Sequence, residues 1–307
     1  MQNNTAKIVA VYIIACLIWG STWMAIRVSL ESLTPFVSCG FRFLLASFLV
    51  IILVKIKGIK IQTDKLSLML YLVMGLFSFV FPFGLVYWGE QYVPSGLASV
   101  LFAVNPFFVA IFSYYFIANE NVGIHKIIGI ILGFVGLLII FSENILGNIT
   151  IYIPGMLAII VSAIMQGGLQ VTMKKYGGKL HPLSMNFIPM LFAGVIMLTF
   201  GLLVEDTGKL VFDSNAYLSV GYLALFGSLV TFTSYYWLLK RVSVIVLSLI
   251  AFITPIIALI LGWAFLNEEL SSRHLIGSLI VLIGLLIAIL GNLRSFKNIG
   301  LLKKQVV

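Results

Sequence analysis

The chain has 307 residues, 61% of them hydrophobic and 9% charged, with a mean hydropathy of +1.15. A soluble domain is about a quarter charged, so the composition excludes an ordinary water-soluble enzyme or binding module and points to a surface facing lipid. The net charge of +9 would suit a polyanion only if the basic residues formed one continuous patch, and they do not.

A helix needs about 20 apolar residues to cross a bilayer. In chain order the candidate spans are 8–27, 35–54, 66–89, 95–117, 126–141, 154–172, 184–204, 217–239, 244–266 and 272–290. The first follows only Lys7 and has no small-x-small cleavage site after it, so it reads as a retained span rather than a secretory leader. Cys16 and Cys39 lie inside spans, where free cysteine behaves as a small hydrophobe; neither a disulfide framework nor a metal site is expected. Arg42 interrupts the second span, "CGFRFLLASFLVIIL". A charge at the centre of a spanning helix costs roughly 2.5–3.5 kcal/mol, so Arg42 requires a partner, an interface or a cavity.

Charge distribution orients the spans. With the N-terminus inside, the inner segments collect Lys7, the lysines at 55, 57, 60 and 65, Lys126, the lysines at 174, 175 and 179, Lys240, Arg241, and the basic tail 292–307 with Arg294, Lys297, Lys303 and Lys304. The outer segments collect Glu31, Glu90, Glu143, Glu205, Asp206, Asp213, Glu268 and Glu269. This is the positive-inside bias, and it places both termini in the cytoplasm.

The chain is also written twice. "LIWGSTWMAIR" lies over "IMQGGLQVTMK", setting Trp19 on Gln166 and Trp23 on Gln170; Pro35 falls on Pro182, Tyr87 on Tyr236, Pro106 on Pro255 and Glu120 on Glu268. Each copy, 8–141 and 152–291, holds five spans. An odd number inserts the second copy upside down, the sequence mark of many secondary transporters. The expected fold is therefore all-α and integral to the membrane, with ten transmembrane helices in two inverted five-helix repeats.

At these residues the chain resembles a known group. "IWGSTW", "FRFLLA", "SVLFAVNPFFVAI" followed by "NE", and "SLIAFITPIIALILGWAFLNEEL" are similar to the EamA family of the drug/metabolite transporter superfamily, over residues 8 to 291 in the family's order. The resemblance implies a central cavity between the two halves, alternating access, and a small metabolite or drug as cargo, often moved outward. The proline-to-glutamate spacing is one residue longer in the first copy, which leaves the turn geometry after the fourth span open.

Several residues are candidates for a site. Trp19 with Trp23, and Gln166 with Gln170, lie four apart and share helix faces. Facing each other across a pseudo-two-fold axis, indoles and amides suit a neutral or zwitterionic organic molecule; packing and helix–helix hydrogen bonding are the alternative. Tyr87 and Tyr236 face a cavity or mark a membrane interface, as Trp88 and Trp237 do. Pro106 and Pro255 break a backbone hydrogen bond and are hinge candidates, with Asn105 and Thr254 beside them as substrate contacts or partners for freed backbone groups. Glu120 and Glu268 are helix-end charges or gates. Gly129, Gly133 and Gly136, and Gly277, Gly284 and Gly291, form small-residue ridges for packing or a homodimer. Arg42, about 10 Å below the outer edge at 1.5 Å per residue, is open to three readings: reaching the interface along its stem, pairing with an acid such as Glu90, or holding a substrate carboxylate or phosphate through its fork.

The histidines at 125, 181 and 274 are scattered, there is no H-E-x-x-H, and no acid or histidine sits in mid-span. No cofactor, nucleic acid or enzymatic activity is expected. The reading is a multi-pass cell-membrane secondary transporter for a small metabolite, such as an amino acid, or an amphipathic drug-like compound, most naturally an exporter. A non-transporting scaffold or a channel is the alternative, but a scaffold would not require the duplicated polar residues and no selectivity ring is visible.

Overall fold

The computed structural model describes residues 2–116, 124–146, 152–239, 241 and 250–302, and all regular structure among them is helical. In chain order the helices are α1 (Gln2–Ser29), α2 (Pro35–Ile56), α3 (Lys65–Met74), α4 (Phe81–Gly89), α5 (Ser95–Phe102), α6 (Asn105–Phe116), α7 (Ile124–Leu146), α8 (Tyr152–Tyr176), α9 (Pro182–Val204), α10 (Ser214–Tyr222), α11 (Thr231–Leu239), α12 (Ile250–Leu266) and α13 (Ser272–Leu302). Two of the joins are π-helical, Gly75–Val80 between α3 and α4 and Leu223–Val230 between α10 and α11. Among the described residues seven helical stretches, one of them interrupted by the turn between α5 and α6, are long and apolar enough to cross a membrane: Ala6–Ser29, Pro35–Ile56, Lys65–Gly89, Ser95–Phe116, Tyr152–Lys179, Pro182–Val204 and Ser214–Leu238. Ile127–Ser142, Ile253–Leu266 and Ser272–Ile287 are shorter apolar helices.

Local chemistry sets where these helices start and stop. Pro35 and Pro182 open α2 and α9, where the missing N–H is no loss and the fixed φ suits the first turn. Asp64 caps α3 by accepting from the Ser67 amide, and Asp213 caps α10 by accepting from the Ala216 amide at 2.9 Å, the usual N-cap arrangement. After α2 the chain turns at Gly58, whose φ of +59° is the left-handed conformation that glycine adopts without a Cβ clash.

The helices pack as α7 on α13, α2 on α9, α4 on α8, α1 on α12, α6 on α8 and α5 on α12. The glycine ridges of α7 and α13 face each other: a Cβ at Gly136 would stand 2.6 Å from the Gly277 carbonyl oxygen, and one at Gly284 would stand 2.7 Å from that of Gly129. Two large buried clusters stand out among those that result. One gathers Leu97, Leu101, Phe107, Ile140, Ile159 and Val281, the other Phe43, Phe79, Tyr87, Met190, Leu223 and Phe232. Trp23 and Phe102 pack against both. Large apolar side chains such as Phe48, Leu138, Leu203 and Trp263 point outward, as a lipid-facing surface requires.

One end of the bundle is acidic. There Arg27 donates to the Glu90 backbone carbonyl, Glu205 accepts from the start of α2, Glu268 accepts from the start of α5, and Asn215 donates to Glu31. At the opposite, basic end Lys7 and Arg241 lie over the Trp237 ring.

Candidate functional site: buried polar groups between the two halves

Arg42 lies on α2 with 1% of its surface exposed. Its Nε donates to Ser228 Oγ at 3.0 Å, one terminal nitrogen to the Tyr87 hydroxyl at 3.3 Å, and the other to the Gly227 carbonyl at 3.5 Å. The guanidinium also stands over Phe83, 4.8 Å from its centroid, and Phe43 at 5.3 Å. Two sequence-based expectations are corrected. The side chain does not rise to the interface, because the π-helical turn at Gly227 and Ser228 offers it polar partners within the bundle. It does not pair with Glu90 either: among the described residues no carboxylate lies within 4.0 Å of Arg42.

The other π-helical turn receives Gln166 of α8. Gln166 Nε2 donates to the Ser78 carbonyl at 2.9 Å and its Oε1 accepts from Ser78 Oγ at 3.3 Å. Proline removes the ordinary α-helical donor to that carbonyl. An α-helical bond to Ser78 would come from residue 82, and Pro82 has no N–H to give. One turn along α8, Gln170 Nε2 donates to Asn105 Oδ1 at 3.3 Å, and Asn105 Nδ2 donates to the Ala163 carbonyl at 2.8 Å. Trp19 sits edge-on to Phe232, with centroids 5.6 Å apart, and against Tyr235 at 5.3 Å; Tyr235 in turn meets Tyr236, and Trp23 meets Phe102. Thus the structure joins Arg42 with Tyr87, Gln170 with Asn105, and Trp19 with the Tyr235–Tyr236 pair. It shows no direct bond between the tryptophans of α1 and the glutamines of α8.

The two prolines differ. Pro106 is the second residue of α6, directly after a two-residue turn at Ala103 and Val104 that separates α5 from α6, so it marks a true break. Pro255 sits inside the unbroken helix α12, with Thr254 half-buried beside it. Glu120 lies outside the described residues.

Glu268 is half-buried and clamps the start of a helix. Its two carboxylate oxygens accept from the Ser95 amide at 2.7 Å and the Gly96 amide at 3.0 Å. Glu205, which sequence reasoning did not single out, does the same at α2: its oxygens accept from Phe36 at 3.0 Å and Val37 at 3.1 Å. Carboxylates suit these positions because helix N-termini present free N–H groups and the positive end of the macrodipole. The available signal was an acid ending one span and a proline opening another, which pairs nothing without tertiary structure. Glu90 lies just past α4. It is fully buried, and neither carboxylate oxygen has a hydrogen-bond partner among the described residues. Burial foremost, then the nearby Glu268 charge, hold its carboxyl well above the usual range, against the opposing pull of Arg27 and Arg42.

Comparison with known proteins decides what this assembly is. The EamA-like transporter family matches residues 6–142 and 153–290. The chain belongs to the EamA-like transporter family. An EamA-like relative, the uncharacterized transporter YoaV of Bacillus subtilis, is 27% identical over 91% of this chain and 95% of its own length. The uncharacterized inner membrane transporter YedA of Escherichia coli K12 is 30% identical over 90% of this chain and 88% of its own. Protein PagO of Salmonella typhimurium is 26% identical over 91% of both. A crystal structure superposes with a TM-score of 0.70 at 16% identity, covering 94% of this chain and 99% of that one, and so shares the fold. The EamA-like chain is therefore a multi-pass cell-membrane transporter and not an enzyme.

Proposed function

We propose that this protein is an exporter that moves a small metabolite, such as an amino acid, or an amphipathic drug-like compound by alternating access between two inverted five-helix halves. Both termini are cytoplasmic and the acidic end faces outward, in keeping with the positive-inside rule. The seven long spans and three shorter apolar helices are its ten transmembrane segments.

The observation that carries this reading is the exchange of polar side chains between halves at two matching π-helical turns. Arg42 of the first half reaches the turn at Gly227 and Ser228, and Gln166 of the second reaches the turn at Ser78. π-Helical turns gather at functional sites, and here they leave buried groups that a substrate's own polar atoms can take over. The packing supports the inverted repeat: α1 meets α10 and α11 where α8 meets α3 and α4, and α1 meets α12 where α8 meets α6. Each pair is its counterpart with the halves interchanged. Trp19, Trp23 and Tyr236 supply aromatic faces, Gln166, Gln170 and Asn105 supply amides, and Arg42 with Tyr87 receives a carboxylate.

Comparing metabolites released by cells with and without the protein tests this directly. An amphipathic amino acid or amine should accumulate outside the expressing cells, and alanine at Trp19 or Gln166 should reduce its release without lowering protein level. Unchanged release in both variants would remove these residues from the pathway.

A further inference from the structure

The turn after α4 holds a feature that transport of an organic molecule does not account for. Glu90 is a carboxyl group with 0% exposure and, among the described residues, no hydrogen-bond partner for either oxygen. An isolated ionised carboxylate in such a place is costly enough that the group neutralises instead. Its surroundings come from every element that packs there. Arg27 of α1 is engaged with backbone, donating to the Glu90 carbonyl at 2.6 Å and the Gln91 carbonyl at 3.4 Å. Arg42 of α2 is occupied by Ser228, Tyr87 and Gly227, and Tyr87 on α4 is the phenol it holds. From the turn after α12 comes Glu268, whose oxygens lie on the Ser95 and Gly96 amides. From α8, Gly155 and Ile159 press against Gly89 and add no charge. Glu90 and Glu268 thus lie near each other at the acidic end, Glu268 held by a helix start and Glu90 sealed off with no hydrogen-bond partner among the described residues. The sealed member of such a pair is the one that keeps its proton.

We propose that Glu90 is a proton-binding site coupled to the Glu268 clamp: it holds a proton while the acidic end is closed and gives it up to water when that end opens. This rests on the alternating-access reading. Each closure then takes one proton from the outer face, converting the Glu90 carboxylate to the acid, and each opening returns it. The sign follows from linkage. The closed form has the raised affinity for protons, so acid favours closure, and closure weakens as pH rises from the exposed-carboxylate range of the open form up to the raised closed-state value. Between those limits the closed-to-open ratio changes by up to about tenfold per pH unit.

The test uses the full chain in lipid nanodiscs, with Cys16→Ala and Cys39→Ala and spin labels at the exposed positions Gln91 and Glu269. Their separation is followed by continuous-wave and pulsed electron paramagnetic resonance from acid to alkaline pH. The expected result is two separations, the shorter gaining as pH falls. Glu90→Gln, which imitates the protonated acid, should hold the shorter one at every pH, while Glu90→Asp keeps a pH response. Two separations in a pH-independent ratio, or a Glu90→Gln variant that titrates like its parent, would overturn the proton site and leave alternating access standing. A single separation at every pH, even in Glu268→Gln, would overturn alternating access and this inference with it.

Discussion

Replacing Arg42 by methionine separates a structural strut from a functional charge. Methionine keeps most of the stem's packing and removes the guanidinium. The losses are one good charged hydrogen bond, to Ser228 at 3.0 Å, and two long ones at 3.3 and 3.5 Å. At about 1.5–3 kcal/mol for a bond to a charged group, with the long pair well below that, the sum is about 3–5 kcal/mol. The aromatic contacts to Phe83 and Phe43 add about 1–2 kcal/mol. Against this, burying an ion without an opposite charge costs several kcal/mol, which methionine recovers. The terms largely cancel, leaving a net loss of about 0–3 kcal/mol, or at most about 12 °C in melting temperature at the 2–4 °C per kcal/mol typical of a larger domain. Transport should fall much further: a lost charge-assisted contact to a substrate carboxylate, worth about 1.5–3 kcal/mol, is about a 10- to 150-fold loss of apparent affinity. Arg42→Lys keeps the charge without the fork and should lie between. The assays are thermal unfolding in detergent and uptake into proteoliposomes. Methionine protein that transports like the parent would refute the argument, as would a collapse in melting temperature with normal transport by the folded fraction.

Further outcomes follow from the same structure. Glu205→Ala should free the Phe36 and Val37 amides and cost about 1 kcal/mol, the usual value of an N-cap; because the bonds join the two halves, labelling of single cysteines near α2's start should also rise, and a stability loss without that rise would limit Glu205 to capping. Gly136→Val should destabilise by at least the 1–3 kcal/mol of core overpacking, since even a Cβ meets the Gly277 oxygen; an unaltered melting temperature would mean that α7 and α13 separate readily. Single cysteines replacing the exposed Lys60 and Lys209 should be labelled from opposite sides of intact cells, and labelling from the same side would defeat the proposed topology. Asp64 is held below the usual aspartate range chiefly by the Ser67 hydroxyl, then by its amide. Its stabilising effect is therefore full above the unfolded value and fades as pH falls through the lowered one, so Asp64→Ala should flatten the acid limb of thermal unfolding.

Much of this protein is legible along the chain. Helix positions follow from runs of apolar residues bounded by proline, glycine and short acids, because each is a local property of the backbone in lipid. The matched prolines, the glycine rows and the polar pairs at Trp19 and Gln166 are likewise visible, since a repeat is a relation between residues in one line. Tertiary structure alone decided the partners. Arg42 found a serine and a carbonyl on a π-helical turn, and apolar sequence does not announce the extra residue that shifts such a turn's register. Pro106 breaks its helix and Pro255 does not, although the sequence around each is alike. Glu205, Glu90 and Glu268 read alike as charges at span ends; two of them cap helices distant in sequence and one is sealed without a partner. Those differences depend on which helix start lies opposite each carboxylate, and that is fixed only when the halves pack.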